Sequence, residues 1–134
     1  MGKRINKVLL IDDDHPTNFF HEMIIRKMGC VNDIETFRGV KEALEYLSLA
    51  GLEKEDIPEL IFLDLNMPGL DGWDFMEAFS KMDEKVKSFT KIIVLTTSVS
   101  PHEKKKALEM PEILDFKNKP LNPLLVEEIL KTYF

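Results

Sequence analysis

The 134-residue sequence predicts a single α/β domain, a doubly wound (βα)5 arrangement around a five-stranded parallel sheet. Three observations predict it. Continuous apolar runs such as Val8-Leu9-Leu10-Ile11, Leu60-Ile61-Phe62-Leu63 and Ile92-Ile93-Val94-Leu95 have strand length and no polar alternation, as parallel strands covered on both faces require. Amphipathic stretches of helical period separate the runs. The three runs end in polar groups (Asp12-Asp13, Asp64, Thr96), and Lys119-Pro120 comes just after a fourth candidate strand. In such sheets the functional crevice lies beyond the carboxyl ends of the strands, at the topological switch point.

Strands are expected at 7–11, 34–37, 60–63, 92–95 and 113–116. The helix at 17–28 places Phe20, Ile24 and Met28 on one face, and that at 40–50 aligns Val40, Ala43, Leu44 and Leu47. A helix at 73–82 follows Asp71-Gly72 and carries Phe75, Met76 and Phe79; the one at 102–110 has only Ala107, Leu108 and Met110 as apolar residues. The last helix takes Asn122 as N-cap and Pro123 in its first turn, with Leu125, Ile129 and Tyr133 as its stripe. Asp14, ahead of Pro16, suits the N-cap of the first helix.

The net charge of -6 argues against a nucleic-acid surface. Lys104-Lys105-Lys106, flanked by Glu103 and Glu109, reads as a solvated helix face. One cysteine, Cys30, excludes an intramolecular disulfide and a multi-cysteine zinc site, and is expected to be a small apolar side chain. The basic N-terminus leads into too few apolar residues for a signal peptide or a membrane span, so no membrane partner and a cytoplasmic location are expected. His15, His21 and His102 are scattered without metal or triad spacing and are expected on the surface or on helices. Phe19, Phe20, Phe75, Phe79 and Phe89 are expected mostly in the core, and Trp73 in packing.

Three carboxylates converging on one crevice repel one another or take up protons unless a cation joins them. All-oxygen ligation with no histidine or thiolate favours Mg²⁺. A carboxylate beside Mg²⁺ and a lysine suits phosphoryl transfer, with the carboxylate as nucleophile and the Thr96 hydroxyl as a donor to a phosphoryl oxygen. Each feature also has a plainer reading. Asp64-Leu65-Asn66 can be a turn with a capping acid, the triple aspartate a helix cap, the threonines β-formers, and Lys119 a surface lysine before a turn. Coincidence of all four at strand ends favours the site.

Nearly the whole chain resembles the response-regulator receiver domain of two-component signalling, of the stand-alone, chemotaxis-regulator type. Leu10-Ile11-Asp12-Asp13-Asp14 resembles the family's acidic pocket, and the segment from Asp64 through Asn66-Met67-Pro68-Gly69 to Gly72 its phosphoacceptor loop. Leu95-Thr96-Thr97-Ser98 resembles the switch-hydroxyl segment and Phe116-Lys117-Asn118-Lys119-Pro120 the aromatic and lysine segment. The resemblance implies a flavodoxin-like strand order 2-1-3-4-5 and an aspartyl phosphate formed on Asp64 from a phosphohistidine. It implies Mg²⁺ held by the side chains of Asp13 and Asp64 and the Asn66 carbonyl, with Asp12 acting through water. Lys119 would pair with Asp64 and then with the phosphate, Thr96 would move toward it, and Phe116 would turn inward. Thr97, where many relatives carry alanine, would narrow access to the phosphate, and Phe116 lacks the hydroxyl of the frequent tyrosine. Asn66 and Ser98 fall where phosphate lifetime is tuned, and the segment 81–91 is longer than usual for the family.

The expected partners are a sensor histidine kinase or a histidine-phosphotransfer protein, and a downstream protein docking on the last strand and adjacent helices, around Lys117, Glu127, Glu128 and Lys131. On this reading residues 1–134 are one receiver domain without an effector domain, a signalling switch rather than a turnover enzyme. Two alternatives stand beside it. One is a non-catalytic pseudo-receiver that works by binding alone, although no acid or lysine is missing here. The other is an Mg²⁺-dependent phosphatase of the haloacid-dehalogenase type, which Asp12-Asp13-Asp14 loosely fits but which leaves Asp64 unexplained.

Overall fold

The computed structural model describes residues 4–53, 57–97 and 100–134. Among these, five strands and six helices follow in the order β1 (Ile5–Ile11), α1 (His15–Met28), β2 (Val31–Phe37), α2 (Val40–Glu53), β3 (Leu60–Leu63), α3 (Gly72–Ser80), α4 (Glu84–Phe89), β4 (Lys91–Thr96), α5 (Pro101–Leu108), β5 (Ile113–Asn118) and α6 (Pro123–Tyr133). All sheet pairings are parallel, and the strand order is β2-β1-β3-β4-β5. The fold class and strand order expected from the sequence are both present. No helix among the described residues is long and apolar enough to cross a membrane.

Strand periodicity explains why the central strands are apolar throughout. Successive side chains point to opposite faces. Leu9, Ile11, Ile61, Leu63, Ile92 and Val94 enter one core with Val40, Ala43 and Leu47 of α2 and Phe75, Met76 and Phe79 of α3. Val8, Leu10, Leu60, Phe62, Ile93 and Leu95 enter the other with Ile25 of α1 and Val126 and Ile129 of α6. Each buried Leu, Ile or Phe side chain contributes roughly 1.5–3 kcal/mol, so a polar substitution in β3 or β4 strikes at one core or the other.

The helix starts are specified locally. Asp14 caps α1 by accepting from Thr17 N–H, Asp71 and Asp74 form a reciprocal capping box on α3, and Asn122 caps α6 ahead of Pro123. Gly29 ends α1 in the left-handed conformation, where a side chain is disfavoured.

Three departures from the sequence reading are informative. The segment 81–91 contains the short helix α4, capped by Asp83 and seated by the buried Val86 against α2 at Gly51. The helix expected over 73–82 accordingly stops at Ser80. The inward face of α1 is Asn18, His21 and Ile25 rather than the stripe through Phe20, which is exposed; Ile24 and Met28 pack only partly. Phe75 and Phe79 are core as expected, but Phe19 and Phe89 are, like Phe20, exposed. Cys30 is half-buried, and burial pushes its thiol pKa up.

Candidate functional site

The sheet register brings the acids together. Ile11 pairs with Leu63, so the next residues, Asp12 and Asp64, leave neighbouring strands side by side at the point where the strand order reverses. Backbone bonds continue the ladder past the strand ends: Asp64 N–H donates to Ile11 C=O and Asp12 N–H to Phe37 C=O, each at 3.0 Å. Asn18 locks the same junction from α1, its Nδ2 donating to the Asp12 carbonyl at 2.8 Å and the Phe37 carbonyl at 3.3 Å. Asp12 and Asp64 are 4% and 5% exposed, while Asp13 is half-buried.

Carboxylate oxygens of Asp12, Asp13 and Asp64 all lie within 4.8 Å of one another. Three hard oxygen donors at that spacing suit a divalent cation of the Mg²⁺ type, and among the described residues no nitrogen or sulfur ligand belongs to the cluster. Lys119 brings an ammonium to two of these acids. Its Nζ bonds Asp12 Oδ2 and lies 3.4 Å from Asp64 Oδ2. Burial opposes the charge on Lys119, but the bond to Asp12 and the two carboxylate charges outweigh it and hold its pKa above the ordinary value. Burial pushes the Asp64 carboxyl up; Lys119 offsets part of this, and the Asp12 charge adds to it.

The loop after Asp64 is shaped by two glycines. Gly69 sits at φ 73, in the left-handed region that turns the chain after Pro68. Gly72 returns the chain so closely that a Cβ there would lie 2.6 Å from the Asp64 carbonyl oxygen, and its N–H bonds Leu65 C=O at 3.1 Å. Asn66 N–H donates to Asp64 Oδ1 at 3.3 Å, and Asn66 Nδ2 donates to Thr96 Oγ1 at 3.2 Å. Thr96 is buried and bonded by Asn66, whereas the adjacent Thr97 is exposed. Thr97 lines an open groove of about 340 Å³ with Pro16, Thr17, Phe20, Lys119 and Pro120. Phe116 is buried in the core. Ser98 lies outside the described residues.

The expected docking face carries ion pairs of its own, Lys117 with Asp115 and Glu128 at 3.5 Å each and Lys131 with Glu127 at 3.6 Å. Lys104, Lys105 and Lys106 are exposed, with Lys106 Nζ 4.4 Å from the Trp73 ring centroid. The sequence reading, which left His21 to the surface or a helix, missed that its side chain on α1 is buried and accepts from Leu121 N–H. It also missed Lys7, a buried lysine that bonds the Tyr46 hydroxyl and pairs with Asp33 at 3.1 Å, at the opposite end of β1 from the acids.

Comparison with known proteins agrees with this geometry. The family model for the response regulator receiver domain matches residues 8–131. The fold is similar to a two-component response regulator from Cytophaga hutchinsonii, 28% identical with 96% of each chain covered and a TM-score of 0.89. It is also similar to the chemotaxis protein CheY4 of Vibrio cholerae, 27% identical over 97% of this chain and 99% of that one, with a TM-score of 0.77. Curated relatives include hybrid signal transduction histidine kinase L of Dictyostelium discoideum, 28% identical over 98% of this chain. The probable methanogenesis regulatory protein FilR2 of Methanothrix harundinacea is 29% identical over 75% of this chain. The chain spans only 7% and 63% of these two relatives' lengths. With five parallel strands in the order 2-1-3-4-5 and the family match running through β1 to α6, this chain belongs to the response regulator receiver domain family.

Proposed function

We propose that this receiver domain accepts a phosphoryl group on Asp64 in an Mg²⁺-dependent reaction and signals through the change that follows. The observation that carries this reading is the buried Asp64 carboxylate held between a cluster of acids and the ammonium of Lys119. An Asp64 oxygen attacks the phosphorus of a phosphohistidine. A new O–P bond forms, the P–N bond breaks with its electron pair going to the imidazole nitrogen, and the leaving imidazole takes up a proton.

Asp13, Asp64 and the Asn66 carbonyl would hold Mg²⁺, with Asp12 acting through water, and the ion would supply positive charge for the phosphoryl oxygens. Lys119 supplies a second, and its pairing passes from Asp64 to the phosphate. Thr96 exchanges its contact with Asn66 for a phosphoryl oxygen. Phe116 is already turned inward in this structure, so modification selects among arrangements of the Thr96 and α5 region rather than burying this ring anew. Aspartyl phosphate is later hydrolysed by water at phosphorus, which returns the carboxylate.

The donor is a histidine kinase or a histidine-phosphotransfer protein. Phe19, Phe20 and Met23 are exposed on α1, which begins three residues beyond Asp12, and exposed large apolar side chains beside a site mark a protein contact. The output partner docks on β5 and its neighbouring helices, at Lys117, Glu127, Glu128 and Lys131. The test is transfer from a phosphohistidine donor protein, followed by peptide mapping of the modified residue. Label on the peptide holding Asp64 is expected, and label elsewhere would refute the assignment. Multiple turnover on small phosphomonoesters would instead favour the phosphatase.

A further inference from the structure

A buried histidine joins α1 to the segment that carries Lys119. His21 is 2% exposed, and its Nε2 accepts a hydrogen bond at 3.1 Å from the backbone N–H of Leu121, which is itself buried. Lys119-Pro120-Leu121 has only two backbone N–H groups, because proline has none. That of Lys119 bonds the Thr96 carbonyl at 2.9 Å, and that of Leu121 bonds His21. The backbone is therefore tied to β4 on one side of Pro120 and to α1 on the other. The Lys119 side chain leaves this clamped segment to reach Asp12 and Asp64.

Acceptance at Nε2 requires a neutral ring with its proton on Nδ1. Burial favours that state and depresses the His21 pKa to about 4; the Asp12 charge opposes the shift and the Lys119 charge adds to it. A protonated or apolar side chain at this position leaves the Leu121 N–H without its partner inside the fold.

We propose that His21 is a positioning residue for Lys119, holding the Lys119–Leu121 segment so that one ammonium serves both Asp12 and Asp64. The effect on phosphorylation rests on Asp64 as acceptor, whereas the clamp itself does not.

The test compares wild type with His21→Leu, which removes the acceptor, and His21→Gln, whose side-chain carbonyl can take the place of Nε2. NMR of the wild-type imidazole nitrogens, of the Leu121 amide and of the Lys119 ammonium reads the clamp without phosphoryl chemistry. Adduct formation from acetyl phosphate with Mg²⁺ reads its consequence. The wild-type ring is expected as the Nδ1–H tautomer. In folded His21→Leu the Leu121 amide exchanges faster, the Lys119 resonance shifts and the adduct forms about tenfold more slowly. His21→Gln restores most of each. A folded His21→Leu protein with wild-type Lys119 resonance overturns the proposal, as does a wild-type ring protonated on Nε2. Should His21→Leu fail to fold, His21→Gln and the tautomer still decide. A wild-type protein that takes up no phosphoryl group refutes the acceptor reading, while the resonances continue to decide the clamp.

Discussion

Lys119 Nζ bonds Asp12 Oδ2 and lies 3.4 Å from Asp64 Oδ2, so a single ammonium joins the ends of β1 and β3 from 107 residues beyond Asp12. The group works as counter-charge for the site and as a tie across the sheet. Both roles can be separated by experiment.

Replacing Lys119 with methionine leaves Asp12 and Asp64 buried together without the ammonium. Breaking a buried pair from one side typically costs about 3–5 kcal/mol. The metal-free Lys119→Met protein should therefore unfold at lower urea concentration than wild type. Mg²⁺ should recover more stability in the variant than in wild type, because it then offsets the repulsion alone. Equal Mg²⁺ stabilisation of both proteins, measured by urea unfolding, would count against this arrangement.

Gly72→Ala places a methyl 2.6 Å from the Asp64 carbonyl oxygen and 2.7 Å from Leu65 Cα, both backbone atoms that cannot swing aside. The expected cost is about 1–3 kcal/mol of stability, with a slower reaction at Asp64 because its own backbone must shift. Thermal unfolding and adduct formation, measured together, check both parts. Gly69→Ala should lose stability through its left-handed φ alone, since nothing crowds a Cβ there.

His21 makes the fold sensitive to acid. Its pKa is depressed from 6.5 to about 4, so between those values the unfolded chain binds a proton that the folded chain refuses. Stability contributed by neutral His21 is thus present above pH 6.5 and is lost as the pH falls toward 4, by an amount on the order of 3 kcal/mol. Urea unfolding of wild type and His21→Gln over this range should show a shallower pH dependence in the variant. Identical slopes would mean that His21 titrates alike in both states.

Much of the site was legible because strand ends in a parallel sheet are where polar residues need a reason to stand. Asp12, Asp64 and Thr96 each follow an apolar run, and the structure places them where that rule puts them. His21 was not legible for an equally physical reason. Helical period alone favoured the apolar stripe through Phe20, but α1 turns Asn18 and His21 inward to satisfy the Asp12 carbonyl and the Leu121 N–H, groups whose positions depend on tertiary structure. The helix α4 was missed because Val86 is its one buried residue, too little for a periodic signal.

The exposed apolar residues of α1 should matter to a protein donor and not to a small one. Phe19 is 59% exposed and contributes little to either core, so Phe19→Ser should leave stability and the acetyl phosphate reaction near wild type. Transfer from a phosphohistidine protein should fall by about tenfold, as for loss of a large apolar interface contact. Equal transfer rates would place the donor on another face.

The most direct measurement is the intact mass of wild type and Asp64→Asn after incubation with acetyl phosphate, with and without Mg²⁺. A single phosphoryl adduct that requires Mg²⁺ and is absent from Asp64→Asn is predicted. An adduct that persists in Asp64→Asn, or a folded wild-type protein that forms none with either acetyl phosphate or a phosphohistidine donor, would contradict the assignment of Asp64 as the phosphoacceptor.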